Sequence, residues 1–290
     1  MSMAELVLLV VKASIMVVVF ALGLSARPSD LTFLIRRPVL MAKSLLAMLV
    51  IMPILALLLI KGMGLHGPVA ILLLASSLAP VPPILPGKQT KAGGDTAYAV
   101  GLLVTMGLLS IIWIPLALEV IQRLFGVPLD MPATKAAPVI AMTVLIPLGA
   151  GIVVALLATS LAAKIQPWAS KLGMLLLLAA AAVILVGQSK AMISLIGNGT
   201  LVAFVIFGVV GLVVGHLLGG PDRNDRTVLA LATSTRHPGM AFAIAQLNFP
   251  HEKALIAAVL LLLLVNAIVS IPYVAWRKKV GAADDLAIAT

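Results

Sequence analysis

The chain of 290 residues contains no cysteine. That excludes disulfides, thiolate metal sites and cysteine nucleophiles. Charge is scarce as well. Asp, Glu, Lys and Arg make up 10% of the residues, where a soluble globular domain carries about 25%. Carboxylates are the rarer sign, and none lies in the middle of an apolar segment. Glu5, Asp30, Asp95, Glu119, Asp130, Asp222, Asp225, Glu252, Asp284 and Asp285 all fall near segment ends or in loops. The histidines His66, His216, His237 and His251 are scattered, and only His251 has a carboxylate beside it, Glu252. A membrane hydrolase or transferase needs a paired acid and base, or a metal cluster. Neither pattern is present, so an enzyme is disfavoured and no metal site is expected.

What fills the sequence is apolar. Hydrophobic residues make up 62% of it and the mean hydropathy is +1.21. The fold class expected is an all-α polytopic membrane protein, one compact helical unit with no soluble domain appended. The start, Met1-Ser2-Met3-Ala4-Glu5, has neither a basic n-region nor a cleavage site, so its first apolar run is expected to be retained as a span. The net charge of +10 points to nucleic acid only if the basic residues share one soluble face. They sit mostly in short loops, which reads as topology and excludes a nucleic-acid partner.

About 20 apolar residues cross the hydrocarbon core. Nine segments qualify, over 4–25, 38–60, 68–90, 96–124, 136–163, 171–193, 200–219, 226–248 and 253–276. Odd-numbered loops and the C-terminal end then hold Arg27, Arg36, Arg37, Lys88, Lys91, Lys164, Lys171, Arg223, Arg226, Arg277, Lys278 and Lys279. Even-numbered loops hold only Lys61, Arg123, Lys135, Lys190 and Lys253. Positive charge marks the cytoplasmic side, so the N-terminus is expected outside and the C-terminus inside. The division expected is a single membrane domain over 1–279, with a first repeat at about 4–125, a second at about 131–279, and a cytoplasmic tail over 280–290.

Two of these segments are interrupted near their middles, and each interruption carries a basic residue. The first reads Ala79-Pro80-Val81-Pro82-Pro83-Ile84-Leu85-Pro86-Gly87-Lys88-Gln89-Thr90, and the second Ala232-Thr233-Ser234-Thr235-Arg236-His237-Pro238-Gly239-Met240. Proline removes a backbone donor and clashes with the preceding turn, so the first run cannot be a continuous α-helix. Irregular backbone at membrane depth is tolerated only where protein or a water-lined cavity covers it. Two broken helices in corresponding positions of two halves mark a transporter's binding site. Four spans separate them, so they cross in opposite directions, as inverted repeats require. No residue-level identity between the halves is evident, and the repeat is a topological inference.

Arg236 is the central candidate. A charged residue at a helix centre costs about 2.5–3.5 kcal/mol on insertion scales and normally faces a cavity or a partner. Its planar fork matches a carboxylate or sulfonate, and a half-helix starting at Pro238-Gly239 would add free N–H groups favouring an anion. The alternative is structural, with Arg236 reaching a helix end or contacting freed carbonyls. Lys88 is its approximate symmetry mate, or else a loop lysine like Lys91; Gln89 beside it is a further candidate. His237 either titrates in coupling or is a hydrogen-bonded core histidine. Ser76, Ser77, Thr233, Ser234 and Thr235 either bind substrate oxygens or pack helices. Asn266, a buried amide in the last span, completes the substrate-binding set. Asp95 reads as an N-cap of the helix that follows it.

Several stretches resemble the bile acid:sodium symporter family: Phe20-Ala21-Leu22-Gly23-Leu24, Arg27-Pro28-Ser29-Asp30, Arg36-Arg37-Pro38, Ile51-Met52-Pro53, the broken helix ending at Gly94-Asp95, and Leu229 to Ala243 around Gly239. The order and spacing of these pieces carry the resemblance, which covers nearly the whole chain. It implies a core domain with two crossing discontinuous helices, a panel domain beside it, and alternating access. It also accommodates nine spans, because some members lack the first of ten helices. The likeness to divergent bacterial members implies the bacterial inner membrane.

The departures bear on coupling. Where sodium-coupled members resemble one another in an acidic residue and a glutamine of the second crossing helix, this chain has Ala232 and Arg236. A Ser-Asn pair falls on Leu85-Pro86, hydroxyl positions of the next helix on Ala99 and Leu103, and a glutamine of the preceding helix on Met48. Hard cations choose oxygen ligands, and none of these side chains supplies one. The expectation is a secondary transporter of a small organic anion, without a cofactor and without sodium coupling, in which basic residues take over the sodium charge. A sodium-dependent symporter is the first alternative. A non-transporting membrane sensor or binding protein is another, though a sensor usually needs an output domain. Arsenite carriers of related fold are disfavoured by the absence of cysteine.

Overall fold

The computed structural model describes residues 3–125, 129 and 131–289; Asp130, an expected loop carboxylate, lies outside them. The described secondary structure is helical throughout. Helix α1 (Met3–Ser25) and the short α2 (Pro28–Leu31) precede α3 (Pro38–Leu45), which runs through a π-helical turn (Leu46–Ile51) into α4 (Met52–Gly62). Then come α5 (Gly67–Leu78), α6 (Leu85–Lys91) and α7 (Thr96–Phe125). Helix α8 (Ala133–Ile140) passes through a second π turn (Ala141–Leu145) into α9 (Ile146–Leu157). The chain ends with α10 (Thr159–Ser194), α11 (Thr200–Leu218), α12 (Arg223–Ser234), α13 (Pro238–Asn248) and α14 (Leu255–Ala289).

Six described helices are long and apolar enough to cross a membrane: Pro38–Gly62, Thr96–Phe125, Ala133–Leu157, Thr159–Ser194, Thr200–Leu218 and Leu255–Val280. The other three expected spans correspond to the apolar Leu9–Ser25 part of α1 and to the pairs α5/α6 and α12/α13, each half of which is short. Large apolar side chains such as Ile112, Leu157, Val186 and Leu217 are exposed. On a membrane protein these face lipid, whose chains are as apolar as they are.

Both breaks fall where the prolines put them, and their ends are sharper than expected. The first helix stops at Leu78 and helix resumes at Leu85, with Pro86 inside the first turn, where a missing N–H removes no bond. Lys88, Gln89 and Thr90 are therefore helical and not part of the irregular segment. The second break is three residues long, Thr235 to His237, and α13 begins at Pro238. Asp95 caps α7, its Oδ1 accepting from the Tyr98 N–H at 2.6 Å. The loop expected around 164–170 is absent. The chain turns instead at Ala158 (φ −144°, ψ 64°), and α10 runs from Thr159 with Lys164 and Pro167 on it. Helix α14 likewise continues past 276 to Ala289.

Two groups of helices form. Helix α1 packs along α9 and α10, where Gly23 and Gly151 bring the backbones of α1 and α9 into direct contact. In the other group α11 lies along α12 and α14, α5 meets α4, α13 and α14, and α6 meets α7 and α12. The α11–α12 approach depends on glycine: Gly211 faces the Ser234 backbone, Gly215 that of Ala230 and Gly219 that of Arg226. Small residues let helices pack closely in lipid, and here they hold α12 so that its last turn is buried.

A methyl group at Gly215 would stand 2.5 Å from Ala230 Cα and 2.5 Å from Leu229 O, both backbone atoms, whereas one at Gly187 on α10 meets nothing within 4 Å. Gly215→Ala should therefore destabilise by about 1–3 kcal/mol through overpacking, and Gly187→Ala should be neutral or stabilising by up to about 1 kcal/mol. Thermal unfolding in detergent measures both. Equal midpoints for the two variants would refute the close packing of α11 on α12.

Candidate functional site

The two breaks lie against each other. In the first, Pro82 and Pro83 occupy the positions from which an N–H would reach the Ala79 carbonyl in a helix. That carbonyl is freed, and so is the Pro80 carbonyl beside it. The backbone N–H of His237, in the second break, donates to Pro80 O at 2.8 Å. The Arg236 side chain reaches the same segment, Nη1 donating to Ala79 O at 3.3 Å. Each broken helix thus satisfies backbone that the other leaves open.

The guanidinium has a second carbonyl partner, which the sequence reading missed. Arg236 Nη2 donates to Met48 O at 2.9 Å. Met48 lies in the first π turn, where the Met52 N–H bonds Ala47 O, five residues back. In that register the donor for Met48 O would be the next residue, Pro53, which has no N–H. The π turn and the proline together present an open carbonyl at the crossing. The same device recurs: Ala47-Met48-Leu49-Val50-Ile51-Met52-Pro53 is echoed by Ala141-Met142-Thr143-Val144-Leu145-Ile146-Pro147 at the second π turn. This echo was a legible signal.

Arg236 is 3% exposed and His237 2%. Among the described residues Arg236 has no carboxylate within salt-bridge distance. Its Nε is buried without a hydrogen-bond partner. His237 is the N-cap of α13: its Nδ1 accepts from the Met240 N–H at 3.2 Å. Nδ1 is therefore unprotonated, the ring proton sits on Nε2, and Nε2 is also buried without a partner. Two adjacent residues thus each hold a buried N–H with no acceptor, an arrangement that costs free energy unless an acceptor arrives.

The other expected residues divide. Ser77, Thr233 and Ser234 return their hydroxyls to carbonyls of their own helices, Leu74, Leu229 and Leu231 respectively. That is the common fate of such residues within helices. Thr235 is half-buried beside Ser234, their hydroxyls 3.4 Å apart, and Ser76 is buried near the end of α5. Asn266 is buried on α14 against Gly208, its Oδ1 without a partner. Lys88 Nζ donates to Ser270 Oγ at 2.6 Å, tying α6 to α14. Gln89 Nε2 donates to Val228 O at 2.8 Å, tying α6 to α12. Lys88 and Gln89 therefore bond away from the Arg236 carbonyls. Met48, Leu85, Ala99, Leu103 and Ala232, which stand where sodium-coupled relatives resemble one another in polar side chains, are at most 3% exposed and belong to one apolar core.

An apolar helical chain with six described helices long enough to cross a membrane is a polytopic membrane protein. A model of the Sodium Bile acid symporter family matches residues 13–195, more than half the length, and the chain belongs to this family of membrane transporters. The matched stretch contains the first break and the π turn of Met48 and ends before Arg236. No curated protein matches the chain.

Removing the guanidinium leaves Met48 O and Ala79 O without their donor, at about 1–3 kcal/mol for each unmet buried group, partly offset because a buried charge is also removed. Thermal stability should fall in the order wild type, Arg236→Lys, Arg236→Met, with the methionine variant down by about 1–3 kcal/mol. A methionine variant as stable as the wild type would show that these carbonyls do not depend on Arg236.

Proposed function

We propose that this chain is a secondary transporter that moves a small organic anion by alternating access and is not coupled to sodium. Two neighbouring N–H donors without acceptors, Arg236 Nε and His237 Nε2, at the meeting of two broken helices, are the observation that carries this reading. A carboxylate or sulfonate oxygen supplies the missing acceptor. No described carboxylate pairs with Arg236, so the substrate brings the counter-charge, and the positive end of the α13 dipole adds to it.

In the same reading Arg236 replaces the sodium charge of relatives. A guanidinium held by two backbone carbonyls occupies the coordination role of a cation tethered to the protein, so no ion need enter with the substrate. The α1, α8–α9 and α10 group is the panel and the remainder the core, arranged as nine spans in inverted repeats. The N-terminus faces outside and the C-terminus the cytoplasm of a bacterial inner membrane. Ser76, Thr235 and Asn266 complete the anion's surroundings, and Lys88 and Gln89 stabilise the half-helix α6. The chain is not an enzyme in this reading and needs no cofactor.

The test is thermal unfolding of the purified protein with a panel of organic anions, in sodium and in choline buffers. An anion at about 100 times its dissociation constant should stabilise by about 2.7 kcal/mol, equally in both buffers. Arg236→Ala should abolish that shift while the protein remains folded. In liposomes the anion should carry net negative charge, read as a current. Shifts that need sodium, or electroneutral uptake with it, would overturn this reading in favour of a sodium symporter. Arg236→Ala with wild-type affinity would remove Arg236 from the site.

A further inference from the structure

Away from the crossing, the end of α11, the start of α12 and the later turns of α14 meet at one end of the helices. His216 Nδ1 is 2.9 Å from Tyr273 Oη. The rings of His216, Tyr273 and Trp276 stand 5.4–5.8 Å apart, edge-on or tilted. Two arginines border this aromatic group. Arg277, 5% exposed, donates from Nε to Thr227 Oγ1 at 2.7 Å and from Nη2 to the Arg223 carbonyl at 2.9 Å. Its guanidinium carbon lies 5.4 Å from the Trp276 ring centre. Arg226 donates from Nε to Gly220 O at 2.7 Å, and its own carbonyl accepts from Tyr273 Oη at 3.4 Å.

All these acceptors are neutral. Neither Arg226 nor Arg277 has a described carboxylate within salt-bridge distance, and the buried carboxylate on α12, Asp225, bonds Arg37 at 2.8 Å. Lys278 and Lys279 follow on α14. Lys278 and Lys279 thus stand beside a buried arginine, and among the described residues none of these cations has a carboxylate within salt-bridge distance. The neighbouring faces of α11 and α14 are lipid-facing in composition: Leu217 is 72% exposed, Ile271 63% and Trp276 48%. Trp and Tyr settle at the headgroup level of a bilayer, the level at which phosphate groups are found.

We propose that this cluster binds the phosphodiester group of an anionic phospholipid, with Arg226 and Arg277 on the phosphate and Trp276 and Tyr273 against the glycerol and upper acyl chain. A planar guanidinium matches phosphate oxygens with paired donors, and basic pockets at the ends of membrane helices take acidic headgroups. Charges that only set topology need no aromatic wall and no buried guanidinium. The site stands apart from Arg236, so it holds whether or not the chain carries an organic anion.

The purified full-length protein in neutral detergent is titrated with phosphatidylglycerol, phosphatidylcholine or glycerol 3-phosphate, and its unfolding midpoint is followed. Phosphatidylglycerol should raise the midpoint and the other two should not. Arg226→Gln combined with Trp276→Leu should lower the unliganded midpoint, because the Gly220 carbonyl loses its donor, and should weaken the response to phosphatidylglycerol at least tenfold. Lys171→Gln, which removes a lysine stacked on Trp168, should leave the response intact. Equal shifts with phosphatidylcholine, or equal loss in Lys171→Gln, would refute a specific site. A full shift with glycerol 3-phosphate would assign it to a soluble phosphate ester and overturn the lipid. If the double variant does not fold, native mass spectrometry of the wild type decides: selective retention of phosphatidylglycerol over phosphatidylethanolamine supports the site, and equal retention overturns it.

Discussion

Backbone polar groups at membrane depth need a partner from the protein or from a water-lined cavity, and the centre of this molecule follows from that constraint. Prolines open carbonyls at Ala79, Pro80 and Met48. Another part of the chain takes them. The second broken helix supplies both donors, a backbone N–H from His237 and a guanidinium from Arg236. The glycine face of α11 lets α12 approach closely enough to deliver them. Breaks, glycine packing and the buried arginine are thus one arrangement. Remove the arginine and two carbonyls lose their donor; widen the α11–α12 contact and the arginine loses its reach.

The same arrangement explains why a charge without a carboxylate is tolerated. Carbonyl dipoles compensate a guanidinium well, through charge-assisted hydrogen bonds, and they leave its net charge intact. A carboxylate would compensate it better and cancel the charge. A fixed positive charge with spare donors is what an anion site requires, and the dipolar partners preserve it. The contacts to Ala79 O and Met48 O are structural. On the proposed reading the same guanidinium also offers its unpaired Nε to an anion, so one side chain would fill both roles.

The all-α membrane class and the positions of both breaks were legible because proline and apolar length act locally. The start of α13 at Pro238 and the cap at Asp95 were legible for the same reason. The resumption of helix at Leu85 was not, since proline is tolerated in a first turn, and Lys88 and Gln89 moved onto a helix with it. Lys164 and Pro167 likewise ended up within α10, because a basic residue near a proline reads as a loop when the turn actually made at Ala158 has no side-chain signature. The Met48 carbonyl was the hardest to foresee. Its availability depends on a shift of backbone register in a π turn, and the methionine side chain carries no trace of it. Reading side chains alone finds the donor in such a pair and misses the acceptor.

A tethered cation has an energetic consequence that a bound sodium ion does not. Sodium entering with the substrate neutralises its charge and brings the free energy of the sodium gradient with it. Arg236 neutralises an anion inside the protein and stays behind when the anion leaves. On the proposed reading, each transport cycle therefore carries the substrate's own charge alone. Moving one elementary charge through the membrane potential is worth about 2.3 kcal/mol per 100 mV, which is close to a fiftyfold concentration ratio. An inside-negative potential of that size opposes entry of a monovalent anion and drives its exit. On that reading, replacing the ion by an arginine changes direction as well as coupling: without a coupled proton the resting bias is toward export, and import requires a steep inward substrate gradient or exchange for another anion.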